Sequence, residues 1–501
     1  MLLIPSSKDQ LIRQISILIS GFHFLFISAI QLFGSFSPEQ QNWFMIRGSG
    51  NEFFSAGYHL QLDGLSLPLF WLSSFILLIS VLASGKIKVQ VKGYYTLLMI
   101  LHTAVLGTFA AADFLLFYVF FEFMLIPMYF LVGIWGGARR EYAAIKFFIY
   151  TLAGSLFILI GMILLYVSIH VPGTGTDMIH TFDVHALTGL KGLIPGSILD
   201  PSTGQSFLGI SAAKWVLILL LAGFAIKVPV VPFHTWLPDA HVEAPTPISV
   251  ILAALLLKTG TYGMIRYACL ILPIQFLELD HIVAGFAVLS IIYGALNAIG
   301  SKDLKRMIAY SSVSHMGFVI LGIAGGTSMS VQGAIFQMVS HGLISAMLFL
   351  IAGVLQERAG SRLINDYSGF FARMPVYSSF ILIGFFAGMG IPGFASFIGE
   401  LLILLGSFNS SQLPGWLPLI ATTGILLSAV YFAWTIQRML FGPFHSKVEG
   451  QFNDLNKMEF SLFAILSALI VLLGIYPAPL LEIIAGFSDN WLAYFNDLSN
   501  P

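Results

Sequence analysis

Six ionisable residues of this 501-residue chain lie inside long apolar runs, where such residues are rare. They are Glu122 in FYVFFEFMLIPMYF, Lys227 at the start of KVPVVPFH, Lys258 in ILAALLLKTGTYG, His315 in AYSSVSHMGFV, His341 in FQMVSHGLISAM and Glu400 in IPGFASFIGELLILL. A charge at the middle of a bilayer costs about 2.5–3.5 kcal/mol on insertion scales, so each needs a partner or a purpose. A carboxylate there requires a cation or a proton, the charge of a buried lysine follows its neighbours, and histidine exchanges protons near neutral pH. The chemistry such a set supports is movement of protons or small cations. Glu122 and Lys227 are expected to pair, Lys258 to be the next station, His315 and His341 to bridge, and Glu400 to be terminal. Static ion pairing, histidines serving as hydrogen-bonded glue and a loop-capping carboxylate are the purely structural alternatives.

Other residues are weaker candidates. His234, Asp239, His241 and Glu243 in HTWLPDAHVEAPTP have the types of metal ligands, but the prolines around them fit a helix–loop turn better, and no metal site is expected. Lys146 and Asp113 sit near helix ends, where a side chain reaches the interface, and Lys146 is at most an accessory residue.

The elements that must position these groups follow from hydropathy. Hydrophobic residues make up 57% of the chain and charged residues 9%, with a mean hydropathy of +0.89, which excludes a soluble protein. A membrane helix needs roughly 20 apolar residues. On that rule runs fall near 11–33, 62–84, 93–111, 113–135, 143–170, 212–238, 248–271, 279–299, 304–324, 331–356, 375–407, 416–440 and 458–477, which predicts an all-α polytopic membrane protein of about 13 spans. The opening MLLIPSSKDQLIR lacks the pattern of a cleaved signal, so the first run is read as a retained helix.

Lys and Arg collect in alternate loops: Lys86, Lys88 and Lys92; Arg139 and Arg140; Lys302, Lys305 and Arg306; Arg358, Arg362 and Arg373; Arg438, Lys447 and Lys457; with Lys8 and Arg13 on the same side. The opposite loops show Arg47, Lys191 and Lys214. Basic loops stay cytoplasmic, which predicts a cytoplasmic N-terminus and an external C-terminal tail with Glu482, Asp489 and Asp497. The long 171–211 loop is then external too. The net charge of −1 and scattered basic residues exclude a nucleic-acid face. A single cysteine, Cys269, leaves no ligand set for an iron–sulfur centre or structural zinc, so no cofactor is expected in this chain.

Proline and glycine reveal a symmetry. Among the five runs of 93–271 the fourth is interrupted by KVPVVPFH at 227–234; among the five of 279–440 the fourth is interrupted by GIPG at 390–393. Five is odd, so the blocks run in opposite senses, and paired broken helices in inverted repeats are how transporters place ion sites at mid-membrane. The organisation read is 1–92, N-terminal helices; 93–271 and 279–440, inverted repeats; 441–501, a C-terminal helix and tail.

Through HTWLPDAHVEAPTPISVILAALLLKTGTYGMIRY, SKDLKRMIAYSSVSHMGFV, FEFMLIPMYF and RMLFGP the chain resembles, over nearly its whole length, the antiporter-like membrane subunits of respiratory complex I. Among them it is similar to the M-type subunit, chain 4 of mitochondria. The resemblance implies that Glu122, Lys227, Lys258, His315, His341 and Glu400 carry proton translocation. Glutamate at 400 marks the M-type, since L-type, N-type and sodium/proton antiporter subunits generally hold lysine there. It also implies partners, namely the L-type, N-type and other membrane subunits in the lipid bilayer of the cell inner membrane. NADH, FMN, iron–sulfur clusters and quinone belong to partner subunits. The family usually has fourteen spans, and MLLIPSSKDQLIR resembles the tail of a first helix whose body is absent. The alternative from the same resemblance is a sodium/proton antiporter subunit without redox coupling; an inert scaffold is disfavoured by the cost of its buried charges.

Overall fold

The computed structural model describes residues 5, 7–33, 42–47, 57–172, 178–447, 450 and 452–499; the side chains of Arg47 and Asp497 lie outside the described residues. Uninterrupted apolar sequence folds as helix because hydrocarbon offers the backbone no other hydrogen-bond partner. In chain order the helices are α1 (Asp9–Phe33), α2 (Ser66–Ala83), α3 (Val91–Ala110), α4 (Phe114–Phe123), α5 (Leu125–Trp135), α6 (Arg140–Ser168), the short α7 (Val184–Leu187), α8 (Ala212–Lys227) and α9 (Trp236–Glu243). Then come α10 (Thr246–Ile251), α11 (Leu257–Gly263), α12 (Pro273–Gly300), α13 (Leu304–Ala324), α14 (Ser328–Ala359), the short α15 (Phe370–Arg373), α16 (Pro375–Gly388), α17 (Ala395–Phe408), α18 (Trp416–Leu440), α19 (Lys457–Ile475) and α20 (Ala478–Ser499).

Eleven helical stretches among the described residues are long and apolar enough to cross a membrane. The predicted runs 212–238 and 375–407 are each broken into shorter pieces, α8 with α9 and α16 with α17, at the Pro- and Gly-rich stretches read from sequence. The centre of the bundle is the continuous helix Thr246–Cys269 with α13 and α14, whose apolar windows are 100%, 94% and 100% buried, against 22% for α1 and 39% for α6. The three central helices carry Lys258, His315 and His341, whereas α1, α6 and α18 turn leucine, isoleucine and phenylalanine outward.

The basic loops meet on one face. Lys86 Nζ contacts Glu357 at 2.5 Å and Glu459 at 3.2 Å, and Arg358 reaches Glu459 at 2.6 Å. Arg362 bonds Asp303 at 3.0 Å, and Arg438 donates to Asn365 at 2.6 Å. Lys305, read as a loop charge, is instead 1% exposed and donates to the Ala244 carbonyl at 3.0 Å, because it is already the second residue of α13.

The opposite face holds small hairpins and an unforeseen ion pair. Strand β1 (Asn42–Arg47) pairs antiparallel with β2 (Gly57–Gln61), and β3 (His170–Pro172) with β4 (Met178–His180). Arg266 pairs with Asp63, itself fixed by Ser66. The tail read after residue 477 is helix α20. It touches Gly64 through Ile483, Arg266 through Phe487, Ser328 through Asp489 at 2.7 Å and Phe276 through Phe495. These contacts sit where α2, α12 and α14 begin and where the Thr246–Cys269 helix ends, so α20 lies along this face rather than crossing the bundle. Its buried Leu480, Ile484, Trp491 and Phe495 recur at helical spacing, the pattern of an amphipathic surface helix.

Candidate functional site

Glu122 sits near the end of α4 with Oε1 buried and without a hydrogen-bond partner. Ser155 on α6 and Lys227 are the groups that bear on its charge. Lys227 is the last residue of α8, 2% exposed, its Nζ unbonded and 4.6 Å from the centre of the Phe121 ring. Glu122 and Lys227, expected to work as a pair, are electrostatic neighbours, with no ion pair within 4.0 Å between them. The aromatic faces of Phe121 and Phe147 take the place of a counter-ion contact, as ring faces attract cations.

The break after Lys227 has a local cause. Pro229 and Pro232 supply no backbone donors, and the carbonyls and amides they release are rebonded elsewhere. Val231 N donates to Ser290 Oγ at 3.1 Å, and Trp236 Nε1 donates to the Ile226 carbonyl at 2.8 Å. Gly260 lets α8 come close: a Cβ there would lie 2.6 Å from Val228 Cγ2 and 3.2 Å from Lys227 Cβ, so Lys227 packs directly on the helix that carries Lys258.

Lys258 lies between two π-helical segments, Leu252–Leu256 and Met264–Cys269, a helix defect common at functional sites. Its fully buried Nζ donates to the Ala253 carbonyl at 2.7 Å and to His341 Nδ1 at 2.6 Å. The lysine donates in that contact, so His341 Nδ1 is the lone-pair nitrogen. The His341 and His315 rings follow at 5.6 Å between centres. His315 Nδ1 then meets Glu400 Oε1 at 3.0 Å, and the same oxygen accepts from Ser396 Oγ at 3.1 Å and Gln337 Nε2 at 3.4 Å. Glu400 stands on α17 just past the second break. There Gly390 has φ +73°, and a Cβ would sit 2.7 Å from Glu400 Oε2, so glycine is required for both backbone and space.

Four of the six predicted residues, Lys258, His341, His315 and Glu400, thus form one buried run; next to it stand Glu122, whose carboxylate is hydrogen-bonded by Ser155 while Oε1 stays unbonded, and Lys227, whose Nζ has no hydrogen bond. The structure buries beside this run two residues that the sequence reading assigns to a turn and a loop. His241 is 0% exposed, stacked on Phe349 at 4.3 Å with both ring nitrogens unbonded, and Lys258 and Lys305 both act on it electrostatically. Lys305 is the other. The signal was present in HVEAPTP and SKDLKR, but proline and neighbouring charges read as loop. The metal-like quartet disperses: His234 to the Tyr293 ring, Asp239 to Lys146 at 2.7 Å, His241 to Phe349 and Glu243 to the Arg139 amide at 2.8 Å. Asp113 caps α4 by accepting from Leu116 N.

Comparison with known proteins shows the family and the fold. The family described as NADH:quinone oxidoreductase/Mrp antiporter, transmembrane, matches residues 111–428. NADH-quinone oxidoreductase subunit M of Rickettsia bellii is 38% identical over 501 residues, covering 99% of this chain and 96% of the relative. The subunit of the same name from Rhodobacter capsulatus is 39% identical over 427 residues, 85% and 80% of the two chains. Among solved structures, a chain of respiratory complex I from Thermus thermophilus superposes with a TM-score of 0.83 at 29% identity, covering 98% of both. A chain of the Mrp complex from Dietzia gives 0.80 at 19% identity over 97% and 93%, a likeness of fold alone. The chain belongs to the family of NADH:quinone oxidoreductase and Mrp antiporter transmembrane subunits, on its subunit M, antiporter-like branch.

Proposed function

We propose that this chain is a proton-translocating membrane subunit of respiratory complex I, coupled to NADH-to-quinone electron transfer carried out by other subunits. The observation that carries the proposal is the buried run Lys258–His341–His315–Glu400, two hydrogen-bonded pairs joined at neighbouring histidine rings, at the centre of a bundle whose outer helices are apolar. Every member binds and releases a proton; Lys258 meets His341 and His315 meets Glu400 through hydrogen bonds, and the step between the two pairs lies between the histidine rings, whose centres are 5.6 Å apart. Glu122 and Lys227 form the variable end. Their separation leaves a charge without a fixed partner, so a displacement of α8 about its break, or a charge change in an adjoining subunit, alters how strongly Lys227 holds its proton. The electron carriers and quinone lie in other subunits of the complex, and the L-type and N-type antiporter-like chains are membrane partners of this one.

Several finer readings belong to the same proposal. The blocks 93–271 and 279–440 are inverted repeats; support comes from the matching place of the two broken helices, one ending in Lys227 and the other followed by Glu400. The basic face lies toward the cytoplasm and the α20 face toward the outside of an inner membrane, supported by the Lys and Arg bias of the loops. His241 and Lys305 extend the axis from Lys258 toward the basic face.

The test is NADH-driven proton pumping by vesicles whose complex carries Glu122→Gln, with quinone reduction and native-gel assembly measured beside it. Intact assembly with both activities collapsed is expected; both persisting would remove Glu122 from the coupled machinery. Sodium-dependent transport without NADH in the same vesicles would favour the antiporter reading.

A further inference from the structure

The β3–β4 hairpin, which follows α6 on the α20 face, holds a feature the proton axis does not use. His170 and His180 are paired across the two strands, and their Nε2 atoms face each other at 3.3 Å with ring centres 4.3 Å apart. His180 Nδ1 lies 2.8 Å from the Tyr166 carbonyl and 3.2 Å from that of Ile169. Carbonyl oxygens only accept, so Nδ1 carries the proton, and in the neutral ring Nε2 is a lone pair aimed at His170. An imidazole whose far nitrogen donates to a backbone carbonyl is the arrangement metal-ligating histidines adopt.

The spacing fits the same reading. Two nitrogens bound at about 2.0–2.1 Å to one tetrahedral ion lie roughly 3.3 Å apart. The frame is rigid: His170 N donates to the Gly192 carbonyl at 2.9 Å, Ile194 N to that of Ser168 at 2.9 Å, and Tyr166 is stacked between His180 and Phe182 at 5.2 and 4.1 Å. Gly192 is required there, since its φ is +83° and a Cβ would meet the His170 carbonyl oxygen.

We propose that His170 and His180 form a two-imidazole site for a divalent transition-metal cation of the Zn2+ class, clamping the β3–β4 hairpin. Among the described residues no third His, Cys, Asp or Glu completes a cluster, so the two imidazoles are the protein ligands proposed. On binding, both Nε2 lone pairs go to the metal, and the proton that His170 shares with His180 moves to His170 Nδ1 or to solvent.

The probe is Zn2+ alone, added to the purified membrane complex in equilibrium dialysis, with assembly checked by native gel. His170→Gln and His180→Gln should each weaken the same one equivalent of Zn2+ by about tenfold or more, the double variant should lose no further ion, and His170→Cys should retain it. Unchanged Zn2+ counts in both single variants would overturn the site. The unsubstituted complex supplies a second measurement: Zn2+ should protect His170 and His180 together from diethyl pyrocarbonate, read by mass spectrometry, and equal labelling with and without Zn2+ would overturn the proposal even if a variant fails to assemble.

Discussion

The two ends of the buried axis differ in kind. From Lys258 to Glu400 nearly every charged or imidazole group has a hydrogen-bond partner within 3.0 Å, with serine and glutamine side chains fixing the carboxylate. At the other end Glu122 Oε1 and Lys227 Nζ are buried and unbonded, held near each other by phenylalanine rings and a broken helix. The bonded run, although His315 Nε2 and the neighbouring Gln337 Oε1 stay unbonded, positions protons; a pair without mutual hydrogen bonds is sensitive to small displacements, because low dielectric magnifies each change in distance. The comparison assigns conduction to the first region and response to the second.

The largest expected effect comes from cutting the bonded run. Lys258→Ala removes the donor to both Ala253 and His341, and NADH-driven pumping by vesicles should fall by about tenfold or more, equivalent to about 1.4 kcal/mol or more on the barrier. Gly390→Ala attacks the same run through the backbone. At φ +73° the added Cβ costs about 1–2 kcal/mol and pushes on Glu400, so a thermal melt should show lower stability and vesicle assays reduced pumping.

A double-mutant cycle measures the contrast itself. Coupling between His315→Ala and Glu400→Gln, read from pumping rates of assembled complex, should be about 1 kcal/mol or more, and that between Glu122→Gln and Lys227→Ala about half of it or less. Equal couplings would erase the distinction.

The smallest effect lies outside the axis, at Asp183 beside the bound hairpin. Burial pushes its carboxyl up, but the hydrogen bond from His59 at 3.0 Å, the His185 charge and backbone donors outweigh burial and hold it below the ordinary carboxylate range. A carboxyl depressed in the folded state stabilises the fold fully above its unfolded value near 3.8 and loses that contribution as pH falls through the folded value. Asp183→Asn should therefore lower the melting temperature by a small amount near pH 5, by less toward pH 8 as His185 loses its charge, and the acid-side difference should vanish only below about pH 3.8.

Much of this architecture was legible because hydrocarbon imposes a simple rule on sequence. Apolar runs became helices, Pro229, Pro232, Gly390 and Gly393 marked both breaks, and an ionisable residue within a run stood out against its neighbours. What escaped had other causes. Lys305 and His241 sit beside prolines and charges, and hydropathy cannot tell a loop from the capped end of a buried helix. Arg266 and Asp63 are far apart in sequence, so their ion pair exists only in the fold. Helix α20 carries Glu482 and Asp489 on its wet side, which masked its apolar stripe. The missing Glu122/Lys227 contact is a matter of distance, which residue types do not encode.

The most direct measurement is NADH-driven proton translocation by vesicles bearing Glu400→Gln in complex shown by native gel to be assembled. The account predicts that translocation collapses, since the last acceptor of the His315 proton no longer ionises; translocation at the unsubstituted rate would contradict it and leave the buried run a packing device.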